Sequence, residues 1–233
     1  MKTAAIVLAA GSGSRMHSNV KKQYMEINGK PLIYYALKAF EDSFTDEVVL
    51  VVSPGDIDYC KREIVDKFGF TKVKSIVEGG AERYDSVRFG LHAISDDTDY
   101  VMIHDGARPF VTEDIMKRSV DAARENMACV VGMPVKDTIK VADENGFAKE
   151  TPDRKNLWMI QTPQTFEYSL IRKLYDKLEE DKEEIKAKGI NITDDAMVVE
   201  TFSDVKVKLV EGSYNNIKVT TPEDIGIAQA ILG

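Results

Sequence analysis

The chain has 233 residues, of which 43% are hydrophobic, and its formal net charge is -8. This length fits one large α/β domain, and the hydrophobic content argues against wholesale disorder. The negative charge disfavours a broad basic surface for nucleic acid, so local clusters of Arg and Lys predict small anionic ligands instead. No segment approaches the ~18 consecutive apolar residues of a membrane span, and we therefore expect a soluble cytoplasmic protein that binds no membrane.

The cysteines and histidines do not form a disulfide or metal pattern. Cys60 falls in a helical pattern and Cys129 in an apolar run, which is more typical of packed thiols than of a linked pair. The three histidines lack the spacing of metal ligands.

Apolar, β-branched segments alternate with helical periodicity along the first half of the chain. This alternation predicts an α/β fold, with a Rossmann-like, mostly parallel sheet and helices on both faces. Ligands of such sheets bind at the carboxyl ends of the strands. The predicted strands are 3–8, 47–52, 73–77, 99–104 and 127–133, and the predicted helices lie near 31–42, 56–68, 83–95 and 112–126.

The pattern changes between residues 135 and 161. Residues 135–141 alternate like a strand, Asn145-Gly146 is a strong hairpin signal, and residues 157–160 predict a returning strand. Because a long hairpin is marginally stable alone in water, we expect a protruding arm at about 136–161 that packs on a second copy of the chain. The chain would then be a single domain, 1–233, that forms a homodimer. The alternative is an edge hairpin that lies on its own sheet.

The last third of the chain predicts a mixture of helices and strands. A charged helix covers 168–188, and residues 193–195 predict an N-cap for a helix at 196–202. Strands follow at 205–210 and 216–220, and the closing helix is 222–232.

The first predicted strand leads into a Gly/Ser loop at residues 9–15, and two lysines follow it. Glycines allow backbone N–H groups to approach phosphate oxygens, while Arg15, Lys21 and Lys22 neutralise the phosphate charge. The loop therefore predicts a site for a polyphosphate. The alternative is an ordinary strand-to-helix turn, although such a turn has no use for three nearby cations.

The Gly/Ser loop differs from the common phosphate-binding loops. Met16 occupies the place of the third glycine of the dinucleotide fingerprint, and the second strand ends in Ser53-Pro54 rather than in an acid. The pair Gly29-Lys30 is followed by proline, which excludes a Walker loop. An NAD(P)-binding oxidoreductase is therefore a remote alternative.

Two further motifs follow predicted strands. Gly79-Gly80 and Ser86 surround the start of a helix, where backbone groups and a hydroxyl could read a flat base; the alternative is a turn with surface charges at Arg83 and Asp85. Asp105 ends a buried strand, where a carboxylate is costly unless it binds a metal, a sugar hydroxyl or Arg108. A purely structural pair of Asp105 and Arg108 is the alternative.

Lys218 lies within an apolar stretch, and strand periodicity places it opposite its neighbours. It faces either solvent or a ligand cavity, and the periodicity alone does not distinguish the two.

Five motifs occur together in one family of enzymes. They are Ala-Ala-Gly-x-Gly-x-Arg-Met at 9–16, Lys-Gln-Tyr at 22–24, His-Asp-x-Ala-Arg-Pro at 104–109, Leu-Trp-x-x-Gln-Thr-Pro-Gln at 157–164 and Asn-Ile-Lys-Val-Thr at 216–220. The first is typical of nucleotidyltransferases that make activated sugars and polyols, and the others are more specific to the cytidylyl branch. Over its whole length the chain resembles the 2-C-methyl-D-erythritol 4-phosphate cytidylyltransferases.

This resemblance implies CTP and a small polyol phosphate as substrates, with Mg²⁺ as cofactor. The cytidylyl group would pass to methylerythritol phosphate with release of pyrophosphate, a step of isoprenoid precursor synthesis by the non-mevalonate pathway. Because a phosphate oxygen attacks the α-phosphorus in line, catalysis would be mostly positioning and charge stabilisation.

The resemblance also implies residue roles. The catalytic residues would be Arg15, Lys22, Arg154 and Lys218, and Arg154, on the arm, would complete the active site of the neighbouring subunit. The nucleotide would contact Ala9, Ala10, Gly11, Gly13, Gly80, Ser86 and Asp105, with Asp105 also the candidate metal ligand. The polyol phosphate would contact Asp105, Arg108, Thr138, Arg154, Thr162, Thr193 and Lys218.

The chain departs from the family pattern at two positions. Ala81 stands where the family often has an acid, and Gly106 stands where it often has alanine, which we expect to loosen the loop. The main alternative function is a ribitol-5-phosphate cytidylyltransferase, which has nearly the same motifs. The two activities differ only in a few acceptor contacts that a sequence pattern does not rank.

Overall fold

The computed structural model describes residues 1–11, 16 and 20–233. The strands are β1 (Thr3–Ala9), β2 (Glu26–Ile27), β3 (Lys30–Pro31), β4 (Glu47–Val52), β5 (Val73–Glu78), β6 (Tyr100–Asp105), β7 (Ala128–Pro134), β8 (Val141–Ala142), β9 (Ala148–Glu150), β10 (Trp158–Glu167) and β11 (Lys208–Glu211). The helices are α1 (Leu32–Glu41), α2 (Ile57–Tyr59), which continues as a π-helix (Cys60–Asp66), α3 (Arg83–His92), α4 (Glu113–Asn126), α5 (Tyr168–Glu180), α6 (Lys182–Ala187), α7 (Asp195–Phe202) and α8 (Pro222–Leu232).

Within these residues, seven strands form one sheet in the order β11-β7-β10-β6-β1-β4-β5. All neighbours pair in parallel except β10, which runs antiparallel to β6 and β7. The register places Leu8 opposite Asp105 and Ala9 opposite Val52. The carboxyl ends of β1, β4 and β6 therefore form one edge, as the predicted α/β fold requires.

Both faces of the sheet are covered, because alternate residues of each central strand point to opposite sides. Val7 packs with Leu37 and Phe40 of α1 on one face. Ile6 packs with Leu91 of α3 and Tyr175 of α5 on the other. A smaller cluster joins Ile27 and Leu32 to Val219 and Ala228, which attaches α8 to the start of α1.

The helix starts next to the sheet edge are fixed by local capping. Glu82 and Asp85 form a reciprocal capping box at the first turn of α3. Asp194 accepts from the backbone N–H of Met197 at the start of α7, which confirms the predicted cap.

Several predicted elements differ from the structure. Residues 216–220 do not form a strand, because the Val219 N–H bonds to the Ala107 carbonyl rather than to a strand neighbour. The predicted helix 168–188 breaks at Asp181, between α5 and α6. The sequence predicts a strand over 157–160, whereas β10 extends to Glu167. A register shift between Ile160 and Gln164 accommodates Pro163, which has no N–H to donate.

The predicted arm is shorter than expected. Its strands are β8 and β9, with Asn145-Gly146 in the turn, whereas residues 135–140 have no regular structure. Trp158 and Ile160 belong to the central sheet, where they pair with β7. Side chains at 137–151 are exposed, so the hairpin projects from the sheet.

None of the helices in the described ranges combines the length and the apolarity that crossing a bilayer requires.

Gly90 lies where α3 packs against β1 and β4. A Cβ there would lie 2.8 Å from Ile6 Cγ2 and 3.1 Å from Val51 Cγ2, both on packed β-branched residues. We expect Gly90→Ala to lower the free energy of unfolding by about 1–3 kcal/mol through overpacking. Urea denaturation followed by circular dichroism measures this change.

Gly226 in α8 provides the matched control, because a Cβ there meets nothing within 4 Å. Gly226→Ala is expected to stabilise the fold by up to about 1 kcal/mol through helix propensity. Equal effects of the two substitutions would contradict the close packing at Gly90.

Candidate active site

A cavity of about 480 Å³ opens at the carboxyl ends of β1 and β6. It is the place where ligands of parallel sheets bind. Eight of the predicted site residues line it: Ala9, Ala10, Gly11, Lys22, Gly80, Ser86, Asp105 and Lys218. Lys218 therefore faces the cavity, which resolves the choice that strand periodicity left open.

One wall of the cavity is built by close packing of small residues. A Cβ on Gly79 would lie 2.4 Å from Ala10 Cβ and 2.7 Å from Ser86 Oγ. Ser86 Oγ accepts from the Gly80 N–H at 3.1 Å and donates to the Glu82 carbonyl at 3.2 Å. Only glycine fits at position 79, and the wall presents backbone and hydroxyl groups at fixed positions.

Gln23 ties the segment after the Gly/Ser loop to β1. Its buried side chain donates from Nε2 to the Ala9 carbonyl at 2.7 Å. Lys22, the neighbouring residue, lies at the cavity. The hydrogen bond of Gln23 thus fixes the backbone from which Lys22 projects.

Asp105 is surrounded by three cations. Its Oδ2 lies 2.7 Å from Lys218 Nζ and 3.9 Å from Arg108 Nε, and its Oδ1 lies 3.8 Å from Arg83 Nε. Burial raises the pKa of the carboxyl, but Arg83, Lys218 and Arg108 outweigh burial and hold the pKa well below its usual range. Asp105 is therefore ionised, and it holds Lys218 at the cavity.

Arg83 is itself held rigidly. Its two terminal nitrogens each lie 2.7 Å from an oxygen of Asp195, which is fully buried and also accepts from Tyr175 Oη at 2.5 Å. Burial lowers the pKa of Arg83, but the Asp195 carboxylate outweighs this and raises it well above its usual range. A bidentate pair of this kind fixes the guanidinium in orientation as well as in charge.

Arg83 and Asp85 are not the simple surface charges of the alternative interpretation. Asp85 is buried, caps α3 and accepts from Lys182 Nζ at 2.6 Å. Asp105 and Arg108 also do not form an isolated structural ion pair. The Lys218 ammonium lies nearer to Asp105 than the Arg108 guanidinium does.

Thr162 and Arg108 lie beside the cavity rather than in its lining. Thr162 belongs to β10 and not to the arm, and its hydroxyl accepts from the Asp105 N–H at 3.1 Å. The Arg108 guanidinium donates to the carbonyls of Asn216, at 2.8 Å, and of Ile160, at 3.3 Å. Both side chains thus hold the segments that carry Asp105 and Lys218.

Gly106 is closely packed, contrary to the expectation of a loosened loop. Its N–H bonds to the Leu8 carbonyl at 2.8 Å, and a Cβ would lie 2.4 Å from Ile33 Cδ1 and 2.9 Å from that carbonyl oxygen.

Other predicted residues do not reach the cavity of their own chain. Thr138 and Arg154 are exposed, and Arg154 donates to the Lys136 carbonyl at 2.9 Å. Thr193 is exposed just before α7 and does not line the cavity. The predictions for Gly13 and Arg15 fall outside the residues that the structure describes.

Sequence reasoning missed seven residues that line the cavity: Leu8, Gln23, Ala81, Glu82, Arg83, Ala107 and Thr220. All of them except Leu8 lie within the motif segments that were singled out, so membership of a motif was the available signal. The sequence contains no such signal for Tyr175 and Asp195, which anchor Arg83. Tyr175 falls within a predicted helix, and Asp195 falls within a predicted N-cap.

Asp105 is the predicted magnesium ligand, and its two oxygens already face Arg83, Arg108 and Lys218. Among the described residues, no three His, Cys, Asp or Glu side chains form a metal cluster. Mg²⁺, however, is commonly bound by one or two carboxylates together with substrate phosphates. Asp105 provides one ionised carboxylate at the cavity.

Comparisons with known proteins agree with the motifs. A curated 2-C-methyl-D-erythritol 4-phosphate cytidylyltransferase of Lachnospira eligens is 51% identical over 229 residues, which cover 98% of this chain and 98% of that protein. Its counterpart in Lachnoclostridium phytofermentans is 48% identical over 231 residues, covering 99% and 96%. The crystal structure of 4-diphosphocytidyl-2C-methyl-D-erythritol synthase from Anaerococcus prevotii aligns with a TM-score of 0.84 at 35% identity and covers 99% of this chain and 96% of that chain.

The family profile for IspD, 2-C-methyl-D-erythritol 4-phosphate cytidylyltransferase, matches residues 3–233. The match covers nearly the whole chain. The chain belongs to the 2-C-methyl-D-erythritol 4-phosphate cytidylyltransferase family.

Proposed function

We propose that the protein transfers the cytidylyl group of CTP to 2-C-methyl-D-erythritol 4-phosphate, with release of pyrophosphate. The observation that carries this function is the full-length family match, together with the cavity at the carboxyl edge of the sheet. Ribitol 5-phosphate is not favoured as acceptor, since the curated relatives named above carry the methylerythritol activity. The missing fingerprint glycine also argues against an NAD(P) enzyme.

The cavity offers two chemically different sides. The nucleotide would be held by backbone and hydroxyl groups of Ala9, Ala10, Gly11, Gly13, Gly80 and Ser86. Lys22 and Arg15 would contact the triphosphate, and Asp105, Arg108 and Lys218 would lie near the acceptor. In the reaction, an acceptor phosphate oxygen forms a bond to the α-phosphorus, and the bond to pyrophosphate breaks.

The protein's contribution is to position both substrates and to stabilise negative charge. Lysine and arginine side chains in a partly closed cavity stabilise charge that develops on phosphate oxygens, without reorganising during the reaction. Lys218 is held by Asp105 at 2.7 Å, so an incoming phosphate meets a cation already in place. Mg²⁺ bound at Asp105 and the phosphates would neutralise the triphosphate.

We further propose that the chain is a homodimer whose arm completes the neighbouring site. Thr138 and Arg154 lie outside the cavity of their own chain, although the family resemblance gives them acceptor roles. The hairpin exposes Phe147, at 72%, and Val141, at 41%. Exposed apolar side chains on a thin hairpin favour burial against a partner. For Thr193, contact with the acceptor stays a prediction.

A cytoplasmic location is proposed from the substrates and the thiols. CTP is an intracellular nucleotide, and Cys60 and Cys129 are buried free thiols, as is usual in reducing compartments.

The proposed reaction is tested by pyrophosphate release from CTP and Mg²⁺, with methylerythritol phosphate and ribitol phosphate compared as acceptors. We expect turnover with the branched acceptor and a kcat/KM at least ~10-fold lower with ribitol phosphate, because a few pocket contacts discriminate by about 1–3 kcal/mol. Faster turnover of ribitol phosphate would reassign the acceptor, and no turnover of either would refute the function.

Lys22→Ala and Arg15→Ala are each expected to lower kcat by ~10², since losing one transition-state donor costs on the order of 3 kcal/mol. The KM for CTP should change less. Steady-state kinetics at saturating acceptor measures both constants. Lys61→Ala, at an exposed lysine away from the cavity, is the control and should retain wild-type rates.

Arg154→Ala is expected to be inactive alone and to recover activity when mixed with Lys22→Ala protein. Random pairing gives about half mixed dimers, each with one intact site, so about a quarter of wild-type activity should return. The assay follows pyrophosphate release after the subunits of the two variants are exchanged. If the mixture stays inactive although exchange is complete, Arg154 does not act across the interface.

A further inference from the structure

His104 is a buried titratable residue to which the proposed mechanism gives no role. It is the penultimate residue of β6, next to Asp105, and is completely inaccessible to solvent. Its ring packs edge-on against Phe40, with centroids 5.3 Å apart.

The hydrogen-bond partners of His104 decide which nitrogen carries its proton. Nε2 lies 3.0 Å from the Arg108 carbonyl oxygen, which can only accept, so Nε2 is the donor. Nδ1 lies 3.0 Å from the Thr162 hydroxyl oxygen, within hydrogen-bond distance. The Thr162 oxygen also accepts from the Asp105 N–H at 3.1 Å. Both ring nitrogens of His104 are therefore engaged.

The chain of hydrogen bonds closes on itself. The Arg108 guanidinium donates to the Asn216 carbonyl at 2.8 Å, and the Asn216 side-chain amide donates to the Thr162 carbonyl at 2.9 Å. The Thr162 hydroxyl then returns to His104. His104, Arg108, Asn216 and Thr162 thus form a closed ring, which we call the His104 ring.

The His104 ring joins three segments that are distant in the sequence. These are the end of β6 with its following loop, β10, and the loop before α8. Asn216 is fully buried and stands two residues before Lys218, while the Val219 N–H bonds to the Ala107 carbonyl at 2.9 Å. The segments that the ring joins carry Asp105, Arg108 and Lys218. Within the described residues, Arg108 Nε and Asn216 Oδ1 are buried without a hydrogen-bond partner, so the ring is held by the hydrogen bonds named above. Buried hydrogen bonds of this kind restrict the movement of the groups that they join.

We propose that His104 is a positioning residue, whose two ring nitrogens close the ring that fixes the acceptor-phosphate side of the cavity. This role rests on the proposed function. Among the described residues His104 is not part of the cavity lining, so it acts through Arg108, Thr162 and the Asp105 backbone. The opposite wall, with Gly80 and Ser86, is anchored on α3 and is independent of the ring.

Three substitutions separate the packing of the imidazole against Phe40 from its hydrogen bonds. His104→Phe keeps an aromatic ring against Phe40 and removes both hydrogen bonds. His104→Asn retains an acceptor near the Nδ1 position, and His104→Gln retains a donor near the Nε2 position. His92→Phe is the matched control, because His92 is partly exposed on α3 and outside the cavity.

Steady-state kinetics would test the positioning role. We expect His104→Phe to lower kcat/KM for methylerythritol phosphate by ~10- to 100-fold, with the KM for CTP within about twofold of wild type, since small displacements of positioning groups have effects of this size. His104→Asn and His104→Gln should each recover part of the loss, and His92→Phe should match wild type. Equal losses for both substrates, or wild-type constants in folded His104→Phe protein, would overturn the role.

A second measurement does not depend on turnover. Long-range ¹⁵N–¹H NMR of labelled protein at neutral pH, with His104→Phe used to assign the signal, identifies the protonated ring nitrogen. We expect a proton on Nε2, because its partner is a carbonyl oxygen. A His104 ring without a proton on Nε2 would overturn the ring even if the enzyme is fully active. If NMR confirms the hydrogen bonds of His104 but wild-type protein turns over neither acceptor, the proposed function is refuted and the ring is not.

Discussion

The organisation of the site depends on one ionised carboxylate at the end of a buried strand. Asp105 lines the cavity and is surrounded by Arg83, Arg108 and Lys218. A lone carboxylate in this position would be costly, and three cations without it would repel one another. Their mutual neutralisation allows a dense charge cluster to persist where a phosphate substrate must approach.

The three cations around Asp105 differ in how firmly they are held. Arg83 is fixed by two hydrogen bonds to buried Asp195. Arg108 is held by hydrogen bonds to the carbonyls of Asn216 and Ile160. The side chain of Lys218 is 40% exposed, and within the described residues Asp105 is its ion-pair partner. Arg83 therefore maintains the charge of Asp105, and Asp105 in turn holds Lys218 at the cavity.

The sequence predicted the parallel sheet and eight cavity residues because these depend on local patterns. Val48–Val52 is buried throughout and β-branched at every position except Leu50, and Gly79-Gly80 marks a turn at a strand end. Two of the mispredicted features show why local patterns fail. The 216–220 segment has strand-like residues, but its polar groups bond to the Ala107 and Thr162 carbonyls instead. β10 runs past Pro163, which sequence rules treat as a strand breaker.

By itself, the sequence determined the fold class, the family and the edge of the sheet at which chemistry takes place, because alternating apolar segments and contiguous motifs record these locally. Only the tertiary structure decided which charges meet. Arg83 and Asp195 are 112 residues apart, and Thr162 and His104 are 58 apart, yet each pair is joined by hydrogen bonds. No local pattern encodes such pairs, since they form only when the packed strands and helices bring distant segments to one edge of the sheet.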